Sequence, residues 1–215
     1  MSGKAWRNLG ALSGVAFGVL EVVGFGLGAA GAPRLSREQI TGAYLNGTPA
    51  WAWLGQYLAI LSALFFVIFA ARLRDALRND QDGLDWISTA ALGGALVFAV
   101  GELAGVGAYG AIRLRSAHGL DIEEAVVLAD LGQALVVLGV AGLGLFLSAA
   151  AVRILQTRAL PVWLGWSAAL LGIAVLAVVG LPFLAFGMAV EPLVLLWILA
   201  VAIVLVRAAG RARID

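Results

Sequence analysis

The feature that most constrains this chain is a series of apolar runs long enough to cross a lipid bilayer, each bounded by charge or by proline and glycine. A helix needs about 20 apolar residues to traverse a hydrocarbon core of roughly 30 Å. Five runs meet that length outright: residues 9–30, 51–71, 86–112, 125–152 and 162–181. Between Val162 and Val206 only Glu191 interrupts the apolar character, and one helix of that extent would be about 68 Å long, roughly twice a membrane. The stretch must fold back. Pro182 and Pro192 are the expected place, because proline loses an amide donor, clashes with the preceding turn and suits the first turn of the next helix. That leaves 193–209 as a short sixth span.

Composition agrees with this reading and closes off others. Charged residues are 13% of the chain and hydrophobic residues 62%, where soluble domains carry about 25% charge, so a soluble globular enzyme and a disordered chain are excluded. A net charge of +1 offers no basic surface for nucleic acid. The absence of cysteine removes disulfides, thiolate metal sites and thiol nucleophiles. One histidine, His118, is too few for the paired imidazoles of bundle di-iron sites or zinc-protease helices, so neither a metal nor another cofactor is expected. The predicted fold class is all-α: residues 1–215 form one domain, a polytopic bundle of six transmembrane helices in contact with the lipid bilayer.

Arginine and lysine in the short loops set the orientation, since positively charged loops are retained in the cytoplasm. With the N-terminus inside, the inner segments hold Lys4, Arg7, Arg72, Arg74, Arg78, Arg153, Arg158, Arg207, Arg211 and Arg213, and the outer ones only Arg34, Arg37, Arg113 and Arg115. Ten against four places both termini in the cytoplasm of a bacterium's plasma membrane. Trp51, Trp53, Trp86 and Trp163 fall at span ends, as aromatic belts do. A cleaved signal peptide is the competing reading of the N-terminus, with Ala30-Gly31-Ala32 as its cleavage site. The first run exceeds the usual 7 to 15 apolar residues of such a peptide, however, Glu21 interrupts it and Pro33 follows the cut.

The first outer loop carries a capping box, Ser36-Arg37-Glu38-Gln39, followed by Ile40, Tyr44 and Leu45 at helical spacing. A short interfacial helix is expected there, either as an anchor or as a lid over a pocket. Asn46-Gly47-Thr48 fits a glycosylation pattern that carries no weight in a bacterial protein. No internal repeat aligns across the spans.

Three acidic residues fall at hydrocarbon depth: Glu21, Glu102 and Asp130. An ionisable group there is expensive unless it faces the bundle interior, which makes it a functional candidate. Counted from the span ends, all three lie in the outer half, where Gln56, Tyr57, Gln133 and Tyr109 also fall. These seven residues are expected to line a cavity that opens outward. Glycines share their faces. Gly10, Gly14, Gly18, Glu21, Gly24 and Gly28 follow spacings of three and four, as do Gly94, Phe98, Glu102, Gly105 and Tyr109. Such seams let helices approach closely, within the chain or between copies in a homo-oligomer.

No lysine, arginine or histidine is expected at that depth, so burial and mutual repulsion favour the protonated form of at least one acid. Three functions fit. The first is an outward-facing carboxylate pocket that binds or transports protons, cations, or a lipophilic or cationic small molecule. The second is a membrane-embedded enzyme in which a protonated acid begins chemistry on an isoprenoid-like substrate among Phe25, Phe98 and Trp53. The third is a structural or assembly subunit held by the seams. His118 reads as a solvated loop histidine. Ser62, Ser148 and Ser167 have no histidine partner for a triad and are expected to bond their own backbone.

Several segments are similar to a group of bacterial six-span membrane proteins of actinobacterial type. They are Ser36 to Ile40, the stretch from Leu64-Phe65-Phe66 to Ala71-Arg72-Leu73-Arg74, Ala129-Asp130-Leu131-Gly132, and Leu160-Pro161-Val162-Trp163-Leu164-Gly165-Trp166. The resemblance implies the six-span architecture and no activity or catalytic residues.

Overall fold

The computed structural model describes residues 3–27, 36–45, 49–79, 83–116, 118–180 and 184–211. Their regular structure is helical throughout. Helix α1 covers Gly3–Gly26; α2, Arg37–Ile40, runs on into a π-helical turn, Thr41–Leu45. Then follow α3 (Ala50–Leu77), α4 (Asp85–Ser116), α5 (Ile122–Thr157), α6 (Val162–Gly180) and α7 (Leu184–Arg211). Helices α1 and α3 to α7 are long and apolar enough to cross a membrane, as their sequence requires. Ala30-Gly31-Ala32, Asn46-Gly47-Thr48, Gly28 and Pro182 lie outside the described residues.

The sixth span departs from expectation at its start. Helix α7 is continuous from Leu184, and Pro192 sits inside it, so Pro192 does not mark the reversal. Proline removes one amide from the ladder, and membrane helices tolerate this where neighbouring groups satisfy the freed carbonyl. One consequence is that Glu191 is a helical residue within the span rather than a loop charge.

The six long helices pack in sequence around a ring: α1 on α3, α3 on α4, α4 on α5, α5 on α6, α6 on α7, and α7 back on α1. The start of α1 and the end of α7 lie at one end of this ring, here the terminal end, and α2 lies at the other, the far end. The ring is filled by aromatic side chains. Phe66 of α3 packs at 4.9 Å from Phe17 of α1, 5.0 Å from Phe98 of α4 and 5.2 Å from Phe146 of α5, centroid to centroid, and Phe146 meets Trp197 of α7 at 6.1 Å. The Trp197 indole donates to the Leu164 carbonyl of α6 at 2.9 Å, so all six helices meet at this cluster. Toward the terminal end, Leu73, Leu77, Ala150, Ile154, Val201 and Leu205 continue the packing without a break in burial.

Glycines set the closest approaches. A methyl at Gly101 would sit 2.5 Å from the Gly139 α-carbon, and one at Gly94 would sit 2.6 Å from the Gly142 carbonyl, so α4 and α5 touch backbone to backbone. On α1, Gly14 accommodates Phe69, and Gly24 faces Gly55 of α3. Gly10, Gly14, Gly18 and Gly24 of the α1 seam thus face the protein's own α3 and α7. Trp6, Trp86, Trp163 and Trp166 are exposed at the terminal end, and Trp51, Trp53 and Tyr57 at the far end, forming the two belts. Arg153 is fully buried near the end of α5, where it donates to the Leu77 carbonyl at 3.1 Å and satisfies one of the orphan acceptors that end α3.

Candidate functional site: a carboxyl pair above the aromatic core

Helical periodicity places the site. Residues four apart share a face, so Glu21 stands one turn beyond Phe17, Glu102 one turn beyond Phe98, and Ser62 one turn beyond Phe66, all toward the far end. Because the three phenylalanines touch at the ring centre, the three polar side chains gather immediately above them. Their heights agree. Gln56 of α3 donates to the Val106 carbonyl of α4 at 3.2 Å, which fixes the register. From there Ser62 is six residues deeper along α3 and Glu102 four residues deeper along α4, about 9 Å and 6 Å.

Glu21 is 5% exposed and Glu102 9%. Ser62 Oγ hydrogen-bonds with Glu21 Oε2 and lies 2.9 Å from the Ala59 carbonyl. A hydroxyl has one proton to give, so Ser62 shares it between the Glu21 carboxyl and the Ala59 carbonyl. Glu102 makes no hydrogen bond among the described residues, although it is nine-tenths buried. The charges that act on this pair are acidic: Glu21 and Glu102 feel each other, and both feel Glu191 of α7, which is exposed. Among the described residues no cationic side chain contributes to the surroundings of either acid.

Asp130 stands apart from this pair. Gly132 of α5 packs against Ala108 and the Tyr109 ring, 3.2 Å from a methyl placed there, so Asp130 is level with Gly110, about 12 Å nearer the far end than Glu102. It is exposed at the height of Trp53 and Tyr57, within electrostatic range of Tyr109. The expected common level therefore holds for Glu21 and Glu102 and not for Asp130. Helix α5 is 36 residues long, about 54 Å, and depth counted from the start of its apolar run places the residue too deep. Tyr57 is 57% exposed and joins the aromatic belt, and Gln133 is half-buried beside Gly132. Of the aromatics suggested for an enzyme, Phe98 alone borders the acids; Phe25 and Trp53 are exposed.

A second polar group lies between the acids and the far end. Arg113, 5% exposed, continues the Glu102 face of α4 three turns on and reaches across to α3. It donates to Gln56 Oε1 at 2.9 Å and to the Ala52 carbonyl at 3.3 Å. Its guanidinium lies 5.1 Å from the Tyr44 ring, which stacks on Tyr109 at 6.0 Å. Burial pushes the Tyr44 hydroxyl up from its ordinary value, with the Arg113 charge pulling the other way. Gly110 is small because Gln56 occupies the space its side chain would need. Ser62 bonds its own backbone as expected and reaches Glu21 as well, whereas Arg113, expected as a loop charge, is buried against α3; continuing the Glu102 face three turns leads to it. His118 is exposed, with Nδ1 3.1 Å from the Leu114 carbonyl.

The fold and this site define a class, a helical membrane protein of six spans with paired acids buried in its ring. No protein-family model matches the chain, and neither does any curated protein or solved structure.

Proposed function

We propose that this protein resides in a bacterial plasma membrane with both termini in the cytoplasm, and that Glu21 and Glu102 form a site, open toward the exterior, for protons, cations or a small cationic molecule that it binds or transports. The excess of arginine at the terminal end supports the orientation, and the resemblance to actinobacterial-type six-span proteins supports the setting.

The observation that carries the reading is Glu102. A buried polar group without a hydrogen bond is costly, and intramembrane carboxyls are kept where an ion, a proton or a substrate uses them. Glu21, bonded to Ser62, supplies a second carboxyl at the same height, and Glu191 extends the negative potential to an exposed position. The packed aromatic and aliphatic side chains beneath separate the acids from the terminal end, so a ligand is expected to approach them from the far end.

Proteoliposomes carrying an interior pH dye test this. Imposed proton gradients are expected to collapse faster with the protein than without it, and Glu21→Gln or Glu102→Gln is expected to return the rate to that of empty vesicles. Equal rates for the native chain and both variants would remove the reading.

A further inference from the structure

We infer that α2 and its π-helical turn form a gate over the far-end mouth of the acidic site, with Tyr44 as its plug. The inference rests on the reading of Glu21 and Glu102 as a ligand site and adds how a ligand reaches it.

Position argues for a plug. Tyr109 lies two turns beyond Glu102 on the same face of α4, and Arg113 lies one turn further. Side chains on a helix lean toward its N-terminus, so the Tyr109 ring leans back toward Glu102. Tyr44 stacks on Tyr109 at 6.0 Å, and its ring lies 5.1 Å from the guanidinium that ties α4 to α3. It is 2% exposed. Together Tyr44 and Arg113 close the line from the far end to the carboxyls.

The attachment argues for a gate rather than a fixed wall. Of the segment from Ser36 to Leu45, only Ile40 and Tyr44 are buried; Arg37, Glu38, Gln39, Gly42 and Ala43 are exposed. Ile40 packs with Ile112, Ala125 and Ala129. Leu45 is half-buried against the same cluster, and the Arg37–Glu123 pair at 2.6 Å is exposed on both sides; exposed ion pairs hold weakly. The α4–α5 and α1–α3 pairs, by contrast, are locked by backbone-to-backbone glycine contacts. Segments with few buried contacts open locally before the rest of a fold does, so release of Tyr44 is the least costly way to expose the acids.

The chain lacks cysteine, so Glu102→Cys introduces a sole thiol at the site. In nanodiscs, its modification by a charged, water-soluble methanethiosulfonate is expected to be slow with Tyr44 in place. It should be about tenfold or more faster after Tyr44→Ala and slow again after Tyr44→Phe, which keeps the stacked ring. Ala150→Cys, fully buried toward the terminal end, reports general loosening and should not respond to Tyr44→Ala. Equal rates at position 102 with and without Tyr44→Ala would overturn the gate, and so would a parallel rise at position 150. Labelling reads access and not flux, so unchanged flux in both Glu21→Gln and Glu102→Gln would sink the transport reading while leaving this result to stand or fall alone.

Discussion

At the scale of single residues, Glu102 separates a structural from a functional acid. A side chain retained for packing stabilises the fold, whereas one retained for a ligand commonly costs stability that a hydrophobic replacement restores. Glu102→Met fills similar volume without a carboxyl to desolvate, and is expected to raise stability by about 1 to 2 kcal/mol while abolishing proton flux. Thermal unfolding in detergent checks it; a lower melting temperature would mark the carboxyl as a structural hydrogen-bonding group. Glu21 and Glu102 were legible in the sequence because any ionisable group in an apolar run is conspicuous. Arg113 and Ser62 were not. An arginine near a span end reads as a loop charge, and a serine in a membrane helix reads as backbone-bonded, until the neighbouring helix supplies Gln56 to one and Glu21 to the other.

At the scale of elements, the α4–α5 hairpin has the closest helix contact, and its glycines are not equivalent. Gly101→Ala would press a methyl against the Gly139 α-carbon at 2.5 Å and is expected to cost roughly 1 to 3 kcal/mol by overpacking. Gly107 lies six residues on along the same helix and has nothing within 4 Å of the place a methyl would take. Gly107→Ala should be neutral or stabilising by up to about 1 kcal/mol through helix propensity. Unfolding of the two variants side by side tests the contrast, and equal losses would mean that the seam does not set the hairpin. Element number and type were readable from run length alone, and the capping box at Ser36 to Gln39 forms as its spacing implies. Depth was less readable. Helix α5 is longer than a bilayer is thick, so the same apolar run fits several heights, and only the register of Gly132 on Tyr109 places Asp130 at the belt.

At the scale of the whole molecule, ring closure by α7 against α1 joins the ends of the chain's span order into one enclosed interior. In intact bacteria, Gly119→Cys in the far-end loop between α4 and α5 should react with a membrane-impermeant maleimide, and Arg158→Cys in the terminal-end loop should react only after lysis. The reverse pattern would invert the topology and turn the site toward the cytoplasm.

The sequence by itself determined that this is a six-span helical membrane protein, because a bilayer of fixed thickness converts apolar run length directly into span number. It also singled out Glu21, Glu102 and Asp130, because desolvation makes any acid in such a run improbable without a use. The packing of the helices settles which acids share a level, that Glu191 acts on them electrostatically while Asp130 lies nearer the far end, and that Tyr44 stacks on Tyr109 beside Arg113. Those facts depend on how far one helix slides against the next, and sliding is set by glycine contacts and side-chain fit between segments distant in the chain, which periodicity within a single helix does not encode.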